Sequence, residues 1–222
     1  MIKKLFYWAL DYAYVLRWQL RSLFSRTSPN QFRQPGGESI ILIPGVYENW
    51  RFMQPIARVL FEHGYDVHTL DGLGYNRGSI EDMASVVDTC IHSEHLSRVT
   101  IVAHSKGGLI GKLALSTTDT IQGLVTINTP FSGSKYAYIL PFKQLRVFIP
   151  NSRILTMLAG LTHLNKKVSS IYGIFDPHIP GGSVLDGAHN IQITSARGHF
   201  RILNNPDVHA AVLNELESLA RC

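Results

Sequence analysis

Short apolar runs alternate with longer segments of helical periodicity along most of the chain, from residue 39 onward. Uninterrupted apolar runs are typical of strands buried on both faces, whereas apolar residues three and four positions apart are typical of helices packed on a sheet. The alternation predicts right-handed βαβ units and an α/β fold, with a minimal, mainly parallel sheet of about six strands and helices on both faces. The predicted strands are 39–44, 66–70, 98–103, 123–128, 168–176 and 190–196, and the predicted helices are 52–64, 79–93, 107–116 and 206–220.

A different pattern occupies the start of the chain, where MIKKLFYWALDYAYVLRWQLRSLF covers residues 1–24. Its apolar positions recur at steps of three or four, which predicts an amphipathic helix. Such a helix either docks on its own domain or lies in a membrane interface with its aromatic residues at headgroup depth, and the sequence leaves both roles open. One face carries Leu5, Ala9, Tyr12, Leu16, Leu20 and Leu23, and the other carries Lys4, Asp11, Trp18 and Arg21.

The turn and breaker residues that follow predict a linker, so we divide the chain into an arm with its linker (1–37) and a main domain (38–222). The arm and linker carry six basic residues against the single carboxylate of Asp11, which accounts for the whole net charge of +5. The main domain is balanced in charge and has no basic stripe with interleaved aromatic residues. Nucleic acid is therefore not expected as a partner.

The arm also bears on the location of the protein. Charged residues interrupt it too often for a membrane-spanning helix, and no small-x-small site follows it, so neither a transmembrane span nor a cleavable signal peptide is predicted. Cys90 and Cys222 are too few for a disulfide framework and are predicted to be free thiols, which fits a reducing compartment. We expect a cytoplasmic protein that contacts a membrane peripherally through residues 1–25, if the interfacial role of the helix holds.

The hexapeptide AHSKGG (103–108) lies between a predicted strand and a predicted helix. A serine at such a sharp turn has its hydroxyl exposed at the sheet edge, provided that small residues stand two positions before and after it. Ala103 and Gly107 meet this requirement, so Ser105 is a candidate nucleophile. Its alternative role is that of an ordinary helix N-cap.

A serine hydroxyl becomes nucleophilic only with a base, and the base needs an orienting acid. In this arrangement of strands the expected order along the chain is Ser, acid, His, with each group in a loop after a strand. Asp176 ends the fifth predicted strand, and His199 follows the sixth. With Ser105 they form a candidate catalytic triad, although Asp176 before a proline is also ordinary turn chemistry.

Rival residues are less well placed for these roles. Asp186 and His189 lie in a glycine-rich loop away from a strand end, and His178 follows Asp176 too closely to act as its base. His104 stands next to the candidate nucleophile, but the alternation of side chains along a strand should point it away from Ser105.

The oxyanion that develops during acyl transfer needs preorganised donors, usually two backbone N–H groups. One is expected from Lys106, the residue after the candidate nucleophile, and the other from Val46 in the loop PGVYENW (44–50), where Gly45 permits a tight turn. The Lys106 side chain itself is expected to be a solvated or locally paired cation. This set of residues requires no cofactor and no metal ion.

Together these segments resemble the α/β-hydrolase superfamily, and within it the lipase- and esterase-like branch. The stretches ILIPGVYENW, DGLG, AHSKGG, LVTINTPFSGS, YGIFDP and GHFRIL follow the order of that family over most of the chain. The chain departs from the usual pattern at Pro44, where His is common, and at Ala103, where Gly is common. The resemblance implies nucleophile, base and acid roles for Ser105, His199 and Asp176, and oxyanion donation by the backbone N–H groups of Val46 and Lys106.

The segment between the fourth and fifth predicted strands, about 130–167, corresponds to the helical cap or lid that this superfamily often carries. Its apolar stretches contain six basic residues and no acidic one. An apolar and basic cover favours an ester with an acyl chain, presented at an anionic interface, over a cover that only packs on the core. The sequence therefore predicts a serine esterase or lipase acting on lipid or acyl esters. A thioesterase or acyltransferase with the same triad and a non-catalytic, hydrolase-like binding protein stay open as alternatives.

Overall fold

Six parallel strands form the centre of the computed structural model, which describes residues 2–221 and their side chains from Leu5 onward. Their order across the sheet is β2-β1-β3-β4-β5-β6, and every neighbouring pair is parallel. This sheet confirms the predicted α/β fold. The strands are β1 (Ser39–Ile43), β2 (Asp66–Thr69), β3 (Val99–His104), β4 (Ile121–Ile127), β5 (Val168–Phe175) and β6 (His189–Arg197).

The helices of the main domain lie where the periodicity predicts them, and each begins for a local reason. Ser79 caps the third α-helix by accepting a hydrogen bond from the Asp82 N–H at 3.0 Å. The second starts later than predicted because a 3₁₀ turn, Trp50–Met53, precedes it. The α-helices of the described residues are α1 (Ile2–Phe24), α2 (Gln54–Glu62), α3 (Ile80–Ser93), α4 (Lys106–Leu115), α5 (Arg153–Gly160) and α6 (Pro206–Ala220).

Alternate side chains of the strands feed two apolar cores on the two faces of the sheet. Ile41 and Ile43 of β1 pack in the cluster that includes α3 and α4, while Ile40 and Leu42 pack in the cluster that includes α2 and α6. All four side chains are buried, as expected for a strand covered by helices on both faces. Cys90 of α3 carries a free thiol, whereas Cys222 lies outside the described residues.

Helix α1 is docked on the main domain. Asp11 and Trp18 face inward with exposures of 0% and 8%, and Trp18 packs against the ring of Phe52. The apolar stripe faces outward instead, since Leu5 and Leu16 are 67% and 61% exposed. The division at residue 37 stays a prediction, but the helix before it is in close contact with the main domain. No helix between residues 2 and 221 is long and apolar enough to cross a bilayer.

The insertion between β4 and β5 contains little α-helix. Apart from α5, it is built from short 3₁₀ segments, and the helical cap implied by the resemblance stays a prediction. Several of its apolar side chains pack on the main core, including Phe148 and Leu155. The 3₁₀ segments are Lys135–Tyr138, Lys143–Phe148 and Thr162–Lys167.

Candidate active site

Ser105 is the single residue between β3 and α4, and its backbone has φ 52° and ψ −119°. A non-glycine residue in such a conformation carries strain of order 1–3 kcal/mol, which persists only where the surroundings enforce it. A side chain at Gly107 would collide with the carbonyl oxygen of Ile43, so only glycine lets α4 approach β1 this closely. The sequence thus forms the strained strand–serine–helix turn that the hexapeptide predicts.

The three residues of the candidate triad meet at the carboxyl edge of the sheet. Ser105 Oγ lies 2.8 Å from His199 Nε2, and His199 Nδ1 lies 2.7 Å from Asp176 Oδ2. The second carboxylate oxygen of Asp176 accepts the backbone N–H groups of His178 and Ile179 at 2.7 and 3.1 Å. The carboxylate is therefore fixed by the turn that follows β5, and it orients the imidazole toward the hydroxyl.

Charge and burial have opposite effects on the pKa values of His199 and Asp176. Burial lowers the pKa of His199, but the charge of Asp176 and its hydrogen bond outweigh burial, so the pKa of His199 is raised above its ordinary value. Burial raises the pKa of Asp176, but the charge and hydrogen bond of His199 outweigh it and hold that pKa below its ordinary value. Both directions stabilise an imidazolium beside a carboxylate, which is the state reached when His199 accepts a proton from the serine.

A second carboxylate holds the backbone around His199, and it comes from α1. Asp11 Oδ2 accepts the N–H of His199 at 2.8 Å, and Asp11 Oδ1 accepts the N–H groups of Phe200 and Arg201, both at 2.9 Å. Hydrogen bonds to an ionised acceptor are roughly twice as strong as neutral ones. The arm therefore fixes the loop that carries the candidate base.

His104 makes a further contact with the loop that carries His199. His104 Nε2 donates to the carbonyl oxygen of His199 at 2.8 Å, and His104 Nδ1 lies 2.9 Å from Glu48 Oε2. Glu48 also accepts the Gly45 N–H at 2.9 Å. The ring of His104 makes its hydrogen bonds with these groups and not with Ser105, and it joins the loop after β1 to the loop after β6.

The predicted oxyanion donors lie beside Ser105. A Cβ at Gly45 would be 3.1 Å from the Cβ of Ser105, so the loop after β1 passes directly next to the serine. Val46 lines the same cavity as Ser105, and its N–H has no hydrogen-bond acceptor within residues 2–221. The N–H of Lys106 is among the first of α4 and so has no acceptor inside the helix.

The Lys106 side chain is not solvated, which excludes one of its two expected states. It is 1% exposed, and its Nζ donates to the carbonyl oxygens of Asn76 and Gly78 at 3.0 and 2.5 Å. Burial lowers the pKa of Lys106 to about 8. Since Asn76 in turn donates to the carbonyl oxygen of Pro44 at 2.7 Å, the ammonium braces the loop that carries Val46.

These groups open onto a cavity of about 450 Å³. Its walls are mostly aliphatic and aromatic, and they come from the main domain, from α1 and from the insertion. Helix α1 contributes three lining residues, so the arm is part of the cavity wall. The lining includes Tyr12, Val15, Gln19, Val46, Glu48, Ser105, Tyr136, Leu140, Phe142 and His199.

The same edge also holds the one group of potential metal ligands found among residues 2–221. Ligand atoms of Asp176, His178 and His199 lie within 4.8 Å of one another. Both nitrogens of His199 and both oxygens of Asp176 are engaged in hydrogen bonds, however. Burial lowers the pKa of His178 to about 3, and its Nε2 is 3.0 Å from the Tyr12 hydroxyl. Hydrogen bonds within the protein therefore already occupy the potential ligand atoms of Asp176 and His199.

Comparison with known proteins agrees with this geometry. A family model described as serine aminopeptidase, S33, matches residues 35–173, which is more than half of the chain. The chain belongs to this α/β-hydrolase family. Ser105 lies within the matched segment, whereas Asp176 and His199 lie beyond it, so their assignment depends on the distances above.

Individual relatives of the chain are more distant. RutD from Yersinia enterocolitica, a protein named for carbamate hydrolysis, is 33% identical over 104 residues, which are 43% of this chain and only 37% of RutD. The monoacylglycerol lipase of Paleococcus ferrophilus superposes with a TM-score of 0.62 at 15% identity, over 84% of this chain and 96% of the lipase. An esterase from Thermogutta terrifontis gives 0.60 at 15%, over 82% and 90%. At such identities the two structures show the likeness of the fold alone.

The sequence analysis missed the contacts of Asp11 and of the pair formed by Glu48 and His104. A lone carboxylate in an otherwise cationic helix was a signal for Asp11, because burying it demands donors. No comparable signal existed for Glu48, whose partner lies 56 positions away along the chain.

Proposed function

We propose that this chain is a serine hydrolase that cleaves carboxylic esters with an apolar acyl chain through an acyl-enzyme intermediate. The observation that carries the proposal is the series of hydrogen bonds from Ser105 Oγ through the His199 ring to Asp176, at 2.8 and 2.7 Å, on the wall of an apolar cavity. Nucleophile, base and orienting acid in this geometry are the requirements of acyl transfer.

The steps follow from these contacts. Ser105 Oγ attacks the ester carbonyl carbon while its proton passes to His199 Nε2, and the oxyanion accepts hydrogen bonds from the Val46 and Lys106 N–H groups. The C–O bond of the ester then breaks, and the leaving alkoxide takes the proton from His199. Water attacks the acyl-enzyme, gives its proton to His199, and the carboxylic acid leaves as Ser105 regains a proton. Asp176 keeps the imidazole in the required tautomer throughout.

The lining of the cavity favours acyl esters over the substrates suggested by the names of relatives. An aminopeptidase needs a free carboxylate for the ammonium of its peptide, but the carboxylate among the described lining residues, Glu48, is already bonded to His104 and Gly45. A small polar carbamate would leave aromatic walls such as Phe142 without apolar contact. Lipid or acyl esters fill the cavity best.

A fluorophosphonate probe tests the proposed nucleophile. We expect the probe to label the wild-type chain and not Ser105→Ala, because phosphonylation requires an activated serine. Equal labelling of both forms would locate the reactive residue elsewhere. Absence of labelling in both would favour the hydrolase-like binding protein.

A series of p-nitrophenyl esters of increasing chain length tests the substrate class. We expect kcat/KM to rise from acetyl to medium-chain esters, because each buried methylene contributes up to about 0.8 kcal/mol. Rates that fall steadily with chain length would argue against an acyl pocket. Parallel assays with acyl thioesters, and with an alcohol added as acceptor, distinguish the thioesterase and acyltransferase alternatives.

A further inference from the structure

Exposed apolar side chains from two segments that are far apart in the chain either line the cavity or lie next to residues that line it. Such a surface is unusual on a monomer and commonly marks an interaction site. We call it the apolar rim, and it consists of Tyr12, Leu16 and Leu20 of α1 with Tyr136, Ile139, Leu140 and Phe142 of the insertion.

The α1 part of the rim is free because of the way the helix docks. Its inner face is held by the hydrogen bonds of Asp11 and by the packing of Trp18, with a further hydrogen bond from Gln19 Nε2 to the Tyr47 carbonyl oxygen at 3.1 Å. Leu16 and Leu20 follow Tyr12 at successive helical turns on the opposite face. The helix is thus anchored by its polar and aromatic face, and its leucines point to solvent.

The rim is continuous with the cavity. Tyr12, Tyr136, Leu140 and Phe142 are at once exposed and part of the cavity lining. Ile139, at 80% exposed, lies between two of them in the chain. An apolar chain in contact with the rim therefore has a path along apolar surface to Ser105.

The charges around the rim have one sign. The one carboxylate of α1, Asp11, is fully buried, and residues 130–167 contain no acidic residue. Exposed cations flank the rim at Arg17, Lys135 and Lys143. The two segments of the rim therefore offer apolar groups and positive charge without an exposed carboxylate of their own, which complements an anionic lipid surface.

We infer that the apolar rim docks this protein on bilayers that contain anionic phospholipid, with the cavity mouth facing the membrane. Leucine and aromatic side chains enter the interface, and the cations meet the lipid phosphates. The inference rests on the proposed function, because docking brings the acyl ester from the lipid layer directly to Ser105.

Sedimentation with phospholipid vesicles, with and without phosphatidylserine, tests the rim in the full-length chain. We expect the wild type to bind the anionic vesicles more strongly, and Leu16→Glu/Leu20→Glu to lower its partition coefficient by at least about tenfold. The neutral pair Leu16→Ser/Leu20→Ser should give a smaller loss in the same direction. Deleting α1 is not an adequate test, because it also removes Asp11 and part of the cavity wall.

The matched control is Ser85→Glu/Thr89→Glu on α3, which adds the same two charges at the same spacing on a helix that does not line the cavity. This control should bind vesicles nearly as well as the wild type does. Fluorophosphonate labelling and hydrolysis of a soluble short-chain ester should be unchanged in all variants. Those two assays report the proposed function, so its failure is separable from a failure of docking.

Three results would overturn the inference. They are wild-type protein that stays in the supernatant with anionic vesicles, rim variants that bind as well as the wild type, and a stable wild-type dimer in solution that the rim variants convert to monomer. The last result would mean that the rim is covered by a second copy of the chain.

Discussion

Two buried aspartates hold His199, and they do so in different ways. Asp176 accepts from the imidazole ring, whereas Asp11 accepts from the backbone N–H of His199 and of the two residues that follow it. The first fixes the tautomer and charge of the ring, and the second fixes the path of the loop. Asp176 lies 23 positions from His199 and Asp11 lies 188 positions away, so two distant parts of the chain position the candidate base.

Through Asp11, the arm is therefore part of the candidate site. The loop after β6 ends in a 3₁₀ turn, Arg201–Asn204, whose first N–H groups point toward α1. Free N–H groups at the start of a helical turn attract an anion, and Asp11 supplies it. A helix that could serve only as a membrane anchor would not need a carboxylate at this depth.

The largest effect on kcat is expected at Asp176, which contacts the imidazole ring of His199 and not its backbone. Asp176→Asn should lower kcat for a soluble ester by roughly 10³–10⁴-fold, because the amide favours the wrong imidazole tautomer. The protein should still fold, which circular dichroism can check. An unchanged rate would move the role of the acid to another residue.

A smaller effect is expected for the backbone contact. Asp11→Asn turns one acceptor into a donor that faces an N–H group, so we expect kcat to fall by roughly tenfold and unfolding to become easier by about 1–3 kcal/mol. Asp119→Asn, the same change at an exposed position, is the control and should alter neither quantity. A loss of stability with full kcat at low temperature would show that Asp11 serves only the fold.

The pH dependence of kcat/KM tests how the charges of Asp176 and Asp11 act on the pKa of His199. His199 acts as a base only when neutral, and its pKa lies above the ordinary 6.5, so the kcat/KM of the wild type should fall as the pH drops through a value above 6.5. Both carboxylates raise the pKa of His199, so removing either lowers it. Asp11→Asn should move the acid limb to lower pH, and NMR titration of Asp176→Asn should show a larger shift of the same sign. An upward shift would contradict both assignments.

The smallest effect on kcat/KM is expected at Tyr12, which lies on α1 as Asp11 does. Tyr12→Phe removes the contact of its hydroxyl with His178 Nε2 at 3.0 Å but keeps the ring in the cavity wall. An exposed hydrogen bond contributes little, so kcat/KM for a soluble ester should stay within about twofold of the wild type. A large loss would mean that α1 supports the site through the His178 ring as well as through Asp11.

Much of this protein was predictable because local patterns decide it. Each strand, and each α-helix of the main domain except α5, lies within two residues of its predicted limits. The turn at Ser105 follows from the small residues around it. Asp176 and His199 were found because the carboxyl ends of parallel strands meet at one edge, which converts order in the sequence into proximity.

The sequence was a poor guide where a residue's partner is distant and its chemical type is ambiguous. Lys106 was expected to be a solvated or locally paired cation, but its ammonium group is buried and donates to backbone carbonyl oxygens of the loop after β2. Helical periodicity identified the two faces of α1, but it did not say which one docks. Burial of Asp11 and Trp18 decided this, because Asp11 finds three backbone N–H donors in the loop after β6 and Trp18 packs against Phe52.

By itself, then, the order of residues determined the α/β sheet, the strained turn at Ser105 and the candidate partners at the strand ends, since these depend on periodicity and on backbone sterics between near neighbours. Only the tertiary structure decided that α1 is part of the candidate site, that His104 and Glu48 join two loops, and that the leucines of the helix face solvent. These contacts unite groups that are distant in the chain, and free energy from packing and from satisfied buried donors selects among many pairings that the local pattern permits equally.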